Sequence, residues 1–493
     1  MFVQNRWLIL AIVTSTLFLI IIDMTVLYTA LPRLTLALGA SSSEKLWIVN
    51  AYPLVVAGLL PGAGMLSDRL GHKNLFMSGL PVFALASLCA AFAPSAEWLI
   101  ASRVFLAIGA AMMMPATLAI VRHVFTNERE RALAIGIWSA VASGAAALGP
   151  VIGGVLLEYF WWGSVFLINV PIVVAVFPCA LALIPRGKGN PERPCDFTGS
   201  AMVMLGLVGV IYALKELSNM NSSWTGVLFP AFAGVLFLGL FARRQKRAVQ
   251  PMIDFSLFRN RAFACGVGVA ITSMIALIGI ELVLSQRLQL VLGLTPFMAA
   301  MFILPIPVAS ALASPLAGML MPKYGVRKIM LGGFALSAAG IVSHALLFEG
   351  GTAMQLASLF ILGFGLGGAV TAASTSIMLN APEEKAGMVA AIEDVSWEMG
   401  GVLGGLMTAV YSRSLTLPAG IVTGDGAYDS LDEALNIASH LSPEHATLIS
   451  ELARTAFDQA FLAVLISAAT LVIATVVVLK IVLRKPVGVR QSS

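Results

Sequence analysis

The sequence predicts an all-α polytopic membrane protein, arranged as two six-helix halves with an inserted helix pair between them. Three observations predict this class. The 493-residue chain is 59% hydrophobic and only 11% charged, with a mean hydropathy of +0.92, which is too apolar for a soluble protein of that length. About 14 apolar runs approach the roughly 20 residues that a helix needs to cross a bilayer. A glycine-basic loop pattern also occurs twice, once after the second run and once after the tenth.

The runs lie near 7–31, 46–66, 75–94, 99–121, 132–157, 164–184, 199–217, 225–242, 262–284, 297–320, 329–348, 354–379, 387–410 and 457–482. An even number brings both termini to one face. With that face in the cytoplasm, most Lys and Arg fall in inner loops, the richest being ARRQKRAVQPMIDFSLFRNR at 242–261. The excess of 30 basic over 25 acidic residues therefore reports orientation rather than a nucleic-acid surface. Arg6 precedes the first run, and no small-residue cleavage site follows, so a retained helix is expected rather than a signal peptide. Cys89, Cys179, Cys195 and Cys265 show neither CxxC nor metal-ligand spacing. With no GxxxxGK[ST] phosphate loop, nucleophile constellation or metal cluster, the expectation is a non-enzyme without a cofactor.

In the first run, which points outward, Asp23 lies roughly 12 Å from the outer end at 1.5 Å per residue. A carboxylate in this medium takes up a proton unless a cation holds it ionised, which makes it a usable switch. Its natural partner is Arg103 of the fourth run, at comparable depth. Arg103 is expected to face a polar cavity; the alternatives are snorkelling to the outer interface and a purely structural tie.

After the second run comes GMLSDRLGHK, in which Gly64, Asp68, Arg69, Gly71 and Lys73 form a turn. Asp68 can pair with a cation or sit at a helix N-terminus, and so latch one conformation. GMLMPKYGVRK at 318–328 repeats it in register with Pro322 in place of the acid, so only one half should carry the latch. The repeat divides the chain into residues 1–185, a six-helix half; 186–261, the inserted pair with basic loops; and 262–493, the second half.

The fifth run holds SGAAALGPVIGGV, with Gly144, Gly149, Pro150, Gly153 and Gly154. In a membrane these residues allow close packing and bending, here against a helix of the opposite half. Tyr28, Trp138 and Trp397 could offer ring faces to a flat cation, and aromatic packing is the plain alternative. Met112 to Met114 read first as adaptable core. Lys215, Glu216 and Glu281 lie near outer ends, where snorkelling is the default.

The thirteenth run has the densest acidic cluster. Asp394 and Glu398 are four apart and share a helix face, while Glu393 points about 100° away. Neighbouring carboxylates at low dielectric need either a proton or a cation between them. The alternative for Glu393 is a position in the inner headgroup layer. Residues 411–456 are the long outer segment, where Ser430 to Glu433 reads as a capping box and Ser442-Pro443 as a second helix start. A helical hairpin over the outer mouth follows from that pattern.

These motifs resemble the major facilitator superfamily. The loop after the second run matches its signature apart from His72. The fourth run matches its motif in part, with Leu106 and Ala107 replacing the usual Gln and Gly, and the fifth matches the antiporter motif. The setting of Asp23, together with WWGSVFLINVPI, PMIDFSLFRNRAF and RLQLVLGLTP, is similar to the 14-helix drug:proton antiporters. The long outer loop is most like that of the quaternary-ammonium and methyl viologen efflux pumps (SmvA-type, QacA-like). The resemblance implies the major facilitator fold in the inner membrane and an alternating-access monomer that exports lipophilic cations against protons, with the proton gradient as driver. Asp23, Glu393, Asp394 and Glu398 would carry proton or cation, and Arg103 would assist as relay partner. Two other readings of the same fold are proton-coupled nutrient uptake and a non-transporting membrane sensor.

Overall fold

The computed structural model describes residues 6–40, 42–187, 189–190, 196–217, 224–248, 251, 253–412 and 443–483. The first group of helices is α1 (Arg6–Leu38), α2 (Ser42–Leu70), α3 (His72–Ala91), α4 (Ala96–Val124), α5 (Glu128–Tyr159), α6 (Ser164–Leu167) and α7 (Asn169–Leu183). Then come α8 (Phe197–Leu217) and α9 (Trp224–Arg247). The last group is α10 (Arg261–Gln286), α11 (Pro296–Ile303), α12 (Pro305–Tyr324), α13 (Val326–Leu347), α14 (Thr352–Leu379), α15 (Ala386–Ser412) and α16 (Pro443–Val482). By length and composition, 12 spans among the described residues can cross a membrane. α8 contributes only a shorter apolar stretch, Thr198–Ala213, and α15 is the helix that carries the three acids.

Local chemistry sets the element boundaries. Ser95 caps α4 by accepting from the Trp98 backbone N–H, and Asn127 does the same for α5. Gly71 and Gly325 both take positive φ, 87° and 83°, immediately before α3 and α13. A side chain there would be strained, so the repeated loops share a backbone conformation as well as a sequence pattern.

Three expected boundaries move. The tenth run is broken at Leu304, where Pro305 starts a new helix, α12. The ninth continues past Gln286 into a π-helical turn, Arg287–Val291. The last helix begins at Pro443 rather than 457, because its buried stripe Ile449, Ala453, Phe457 and Phe461 extends the apolar face outward. The first helix expected in the outer hairpin falls on 413–442, outside the described residues.

α1 to α7 build one apolar core, which also takes in residues such as Phe263 and Val389 of the last group; α10 to α16 build a second. A small third cluster joins α8 and α9 to α2 through Leu54, Met65, Val203 and Phe241. Both ends of the described chain emerge on one face. Arg6 pairs with Glu130 at 2.5 Å there, and α16 runs antiparallel to α10, with Asp458 opposite Arg287 and Thr475 opposite Thr272. This is called the terminal face below.

Candidate functional site

Asp23 sits on α1 about 26 Å above Arg6 at the helical rise, and is 2% exposed. Arg103 of α4, 1% exposed, donates from Nη1 to Asp23 Oδ2 at 2.8 Å. Its Nε donates to the Ile48 carbonyl at 3.3 Å, and its guanidinium lies 4.7 Å from the Tyr52 ring centroid. Snorkelling is thereby excluded for Arg103. The other carboxylate oxygen, Oδ1, accepts from Asn169 Nδ2 at 3.0 Å, and Asn169 also donates to Ser87 Oγ at 3.1 Å.

Asn169 and Arg103 thus each hold one oxygen of the Asp23 carboxylate. Both Asp23 oxygens now accept, as a carboxylate does. A neutral Asp23 would donate from one of them, and a turned-over amide would receive that proton on Asn169 Oδ1, which is buried with no hydrogen-bond partner among the described residues. Asn169 was missed in the sequence because 146 residues separate it from Asp23. It reaches the site because the chain breaks between α6 and α7 and restarts at this residue.

On α15 the three acids divide. Glu393 is fully buried and accepts a close hydrogen bond from Ser374 of α14, so the side chain faces into its own helix group. Asp394 is 6% exposed, with Oδ2 buried and unpartnered among the described residues. Glu398 is half-buried on the same face, and Asp394 lies within electrostatic reach of both neighbours.

The aromatic candidates are less available than expected. Trp138 is buried and its Nε1 donates to Thr117 Oγ1 at 3.2 Å, so it is packing in this arrangement. Trp397 is half-buried. The Tyr28 side chain lies outside the described residues, as do those of Pro150 and Lys215. Glu216 and Glu281 are half-buried.

At the terminal face Asp68 takes the second of its two expected roles. Its carboxylate accepts from the backbone N–H groups of Gly387 and Met388 at 2.7 and 3.1 Å, so it binds the N-terminus of α15 across the two helix groups. Lys73 donates to the carbonyls of Leu181 and Ile184 at 2.7 and 2.6 Å, tying α3 to the end of α7. Arg69 is half-buried, and Gly71 supplies the turn. Gly64 lies so near α15 that a Cβ would meet the Gly387 carbonyl at 2.6 Å. Arg122, unremarked in the sequence, donates to the Ala381 carbonyl from the first group to the last.

The glycine motif of α5 behaves differently from expectation. A Cβ at Gly149 would collide with Thr25 of α1, within its own group, while Gly144 and Gly154 have open space around them. Close approach to the opposite group occurs lower, at Gly136 against the Ser314 carbonyl (2.5 Å for an added Cβ) and at Gly318 against the Ala132 carbonyl (2.5 Å). Small residues permit that crossing, but they are Gly136 and Gly318. Above them Ser143 and Ser310 share a hydrogen bond of 3.0 Å.

Two ion pairs frame the last group. Arg287 Nε pairs with Asp458 at 2.7 Å, and its guanidinium is flanked by Phe348 and Phe461, at 5.0 and 5.2 Å. Asp254, before α10, pairs with Lys385 at 2.6 Å. Burial alone would raise the Asp254 carboxyl, but the Lys385 ammonium and Ser256 outweigh it and hold it at about 2.

Comparison with known proteins adds the family. The sequence model described as Major Facilitator Superfamily matches residues 13–405. The chain is 42% identical to the methyl viologen resistance protein SmvA of Salmonella typhimurium, over 92% of this chain and 93% of that protein. It is 35% identical to the multidrug efflux pump LfrA of Mycolicibacterium smegmatis, over 98% and 97%. The human organic anion transporter MFSD10 superimposes with a TM-score of 0.60 at 14% identity, covering 95% of this chain and 99% of that one, a likeness of fold.

Proposed function

The chain belongs to the Major Facilitator Superfamily, and from that premise we propose that it exports lipophilic cations, such as quaternary ammonium compounds, dyes and viologens, in exchange for protons. It is a drug-efflux transporter of the SmvA kind and not an enzyme. The proposed architecture has 14 spans, with α8 and α15 completing the count, divided as 1–185, 186–261 and 262–493. It is a monomer in the cytoplasmic membrane with both termini inside.

The observation that carries the reading is a pair of acidic stations, with Asp23 and Asp394 buried and Glu398 half-buried. Asp23 sits with Arg103 and Asn169 in the first group, and Asp394 and Glu398 lie on α15 in the last. Carboxylates at these depths persist where they exchange charge. Substrate entering from the cytoplasm or inner leaflet binds by replacing the protons of the acids, and protons from outside later displace it. The cross-group contacts at Asp68, Arg122 and Gly136 support a closed inner end, so this arrangement is assigned to the outward-facing state.

The driving force suffices. Each pH unit supplies about 1.4 kcal/mol per proton, and each net charge moved about 2.3 kcal/mol per 100 mV. One proton against a monocation is electroneutral, and a dication needs at least three protons to gain from the potential. The test is ethidium or viologen efflux from energised vesicles with and without a protonophore. Efflux that stops with protonophore is expected; insensitive efflux, or none for any cation, contradicts the antiport. Protonophore-sensitive uptake would favour the symporter.

A further inference from the structure

We infer that Tyr52 couples the two carboxylate stations, its hydroxyl linking the protonation of Glu398 to the hold that Arg103 keeps on Asp23. The inference rests on the antiport reading and assigns a residue to it that neither the motifs nor the comparisons single out.

Four observations carry it. Tyr52 is fully buried on α2, about 27 Å from Leu70 along the helix and so at the depth of Asp23. Its ring carries the Arg103 guanidinium that bonds Asp23. α2 and α15 are antiparallel, and Gly64 lies against Gly387 and Ala391; continuing that register brings Glu398 opposite Val55, one turn from Tyr52. The Tyr52 hydroxyl has no hydrogen-bond partner among the described residues.

A phenylalanine would fill the same space without stranding a polar atom, and stranded buried hydroxyls are disfavoured. Tyr52 therefore finds its acceptor in another arrangement of the same groups. The charged groups facing it are Asp23 from α1, Arg103 from α4 and Glu398 from α15. When Glu398 is ionised, the phenol donates to it, which enriches the ring and seats the guanidinium more firmly. When Glu398 is protonated, the phenol turns to Asp23 and competes there with Arg103. The phenol keeps its own proton throughout and changes only its acceptor. One station thus learns the state of the other across the two helix groups.

The test is equilibrium binding of ethidium to purified protein as a function of pH, in wild type, Tyr52→Phe, Glu398→Gln and the double variant. Acid should displace the dye with a defined midpoint. Tyr52→Phe should move that midpoint by about half a pH unit or more with melting temperature unchanged, and Glu398→Gln should shift it less in the Phe background than in wild type. An unmoved midpoint, or two shifts that simply sum, overturns the coupling. If Tyr52→Phe does not fold, a ring-fluorinated tyrosine at position 52 makes the hydroxyl more acidic at almost constant shape. A midpoint that moves with fluorination supports the role, and one that stays overturns it. Wild-type protein that binds none of a panel of lipophilic cations at any pH overturns the transport reading and the coupling together.

Discussion

Asp23 shows how a charge is kept in a membrane: Arg103 and Asn169 each satisfy one oxygen, and Tyr52 floors the guanidinium. Removing the charge at constant shape isolates its role. Asp23→Asn and Glu398→Gln should each lower dication export at least about tenfold in vesicles while the protein still folds, as checked by melting; wild-type export in both would remove these acids from the mechanism. At the terminal face the Asp254–Lys385 pair gives a pH signature. The folded Asp254 carboxyl, at about 2, lies below its usual 3.8, so its stabilisation is complete above about 3.8 and fades as pH falls through about 2. The melting-temperature gap between wild type and Lys385→Met should be constant from about pH 5 to 8 and shrink below about pH 4. A gap unchanged at about pH 2.5 would contradict that assignment. The Asp23 and Arg103 contact was legible because both are charges in apolar runs at comparable depth. Asn169 and Tyr52 were not, since an uncharged polar residue in an apolar run carries no sign of which way it faces.

Helix pairs reveal what the spacing of small residues leaves open. The loop repeat was legible down to backbone detail, as the matched Gly71 and Gly325 show. The glycine motif of α5 announced close packing but not its partner, because four glycines and a proline mark more than one face of a helix. Gly149 meets α1 at Thr25, two residues from Asp23, whereas Gly136 meets α12. Gly136→Leu should therefore prevent the helix ends at the terminal face from closing and raise labelling of a cysteine placed at that crossing from that face. Gly149→Leu should displace α1, disturbing coupling before cation choice; an altered substrate profile with coupling intact would refute the placement. The Asp68 latch reads the same way. Asp68→Asn keeps the shape but loses the charge at the α15 N-terminus, about 1 to 2 kcal/mol, and should shift the population toward the inward-open form in the same labelling assay.

The whole molecule divides chemistry from mechanics. Composition and fourteen apolar runs made the class of machine readable, and the repeated loop implied its halves. The broken tenth run and the long α16 were hidden because proline placement and an apolar stripe beyond the bilayer both depend on tertiary packing. The named contacts that join the helix groups lie from the terminal face up to the Ser143–Ser310 bond, while the acidic stations occupy α1 and α15. In the proposed antiport, closing the opposite end brings those stations together, and the exchange of proton for cation takes place there. The direct test is cation-driven proton movement in sealed proteoliposomes without any imposed potential. The account predicts that an outward cation gradient draws protons inward, that a protonophore collapses the signal, and that Asp23→Asn or Glu398→Gln abolishes it. Cation flux at the wild-type rate with no accompanying proton flux would contradict it.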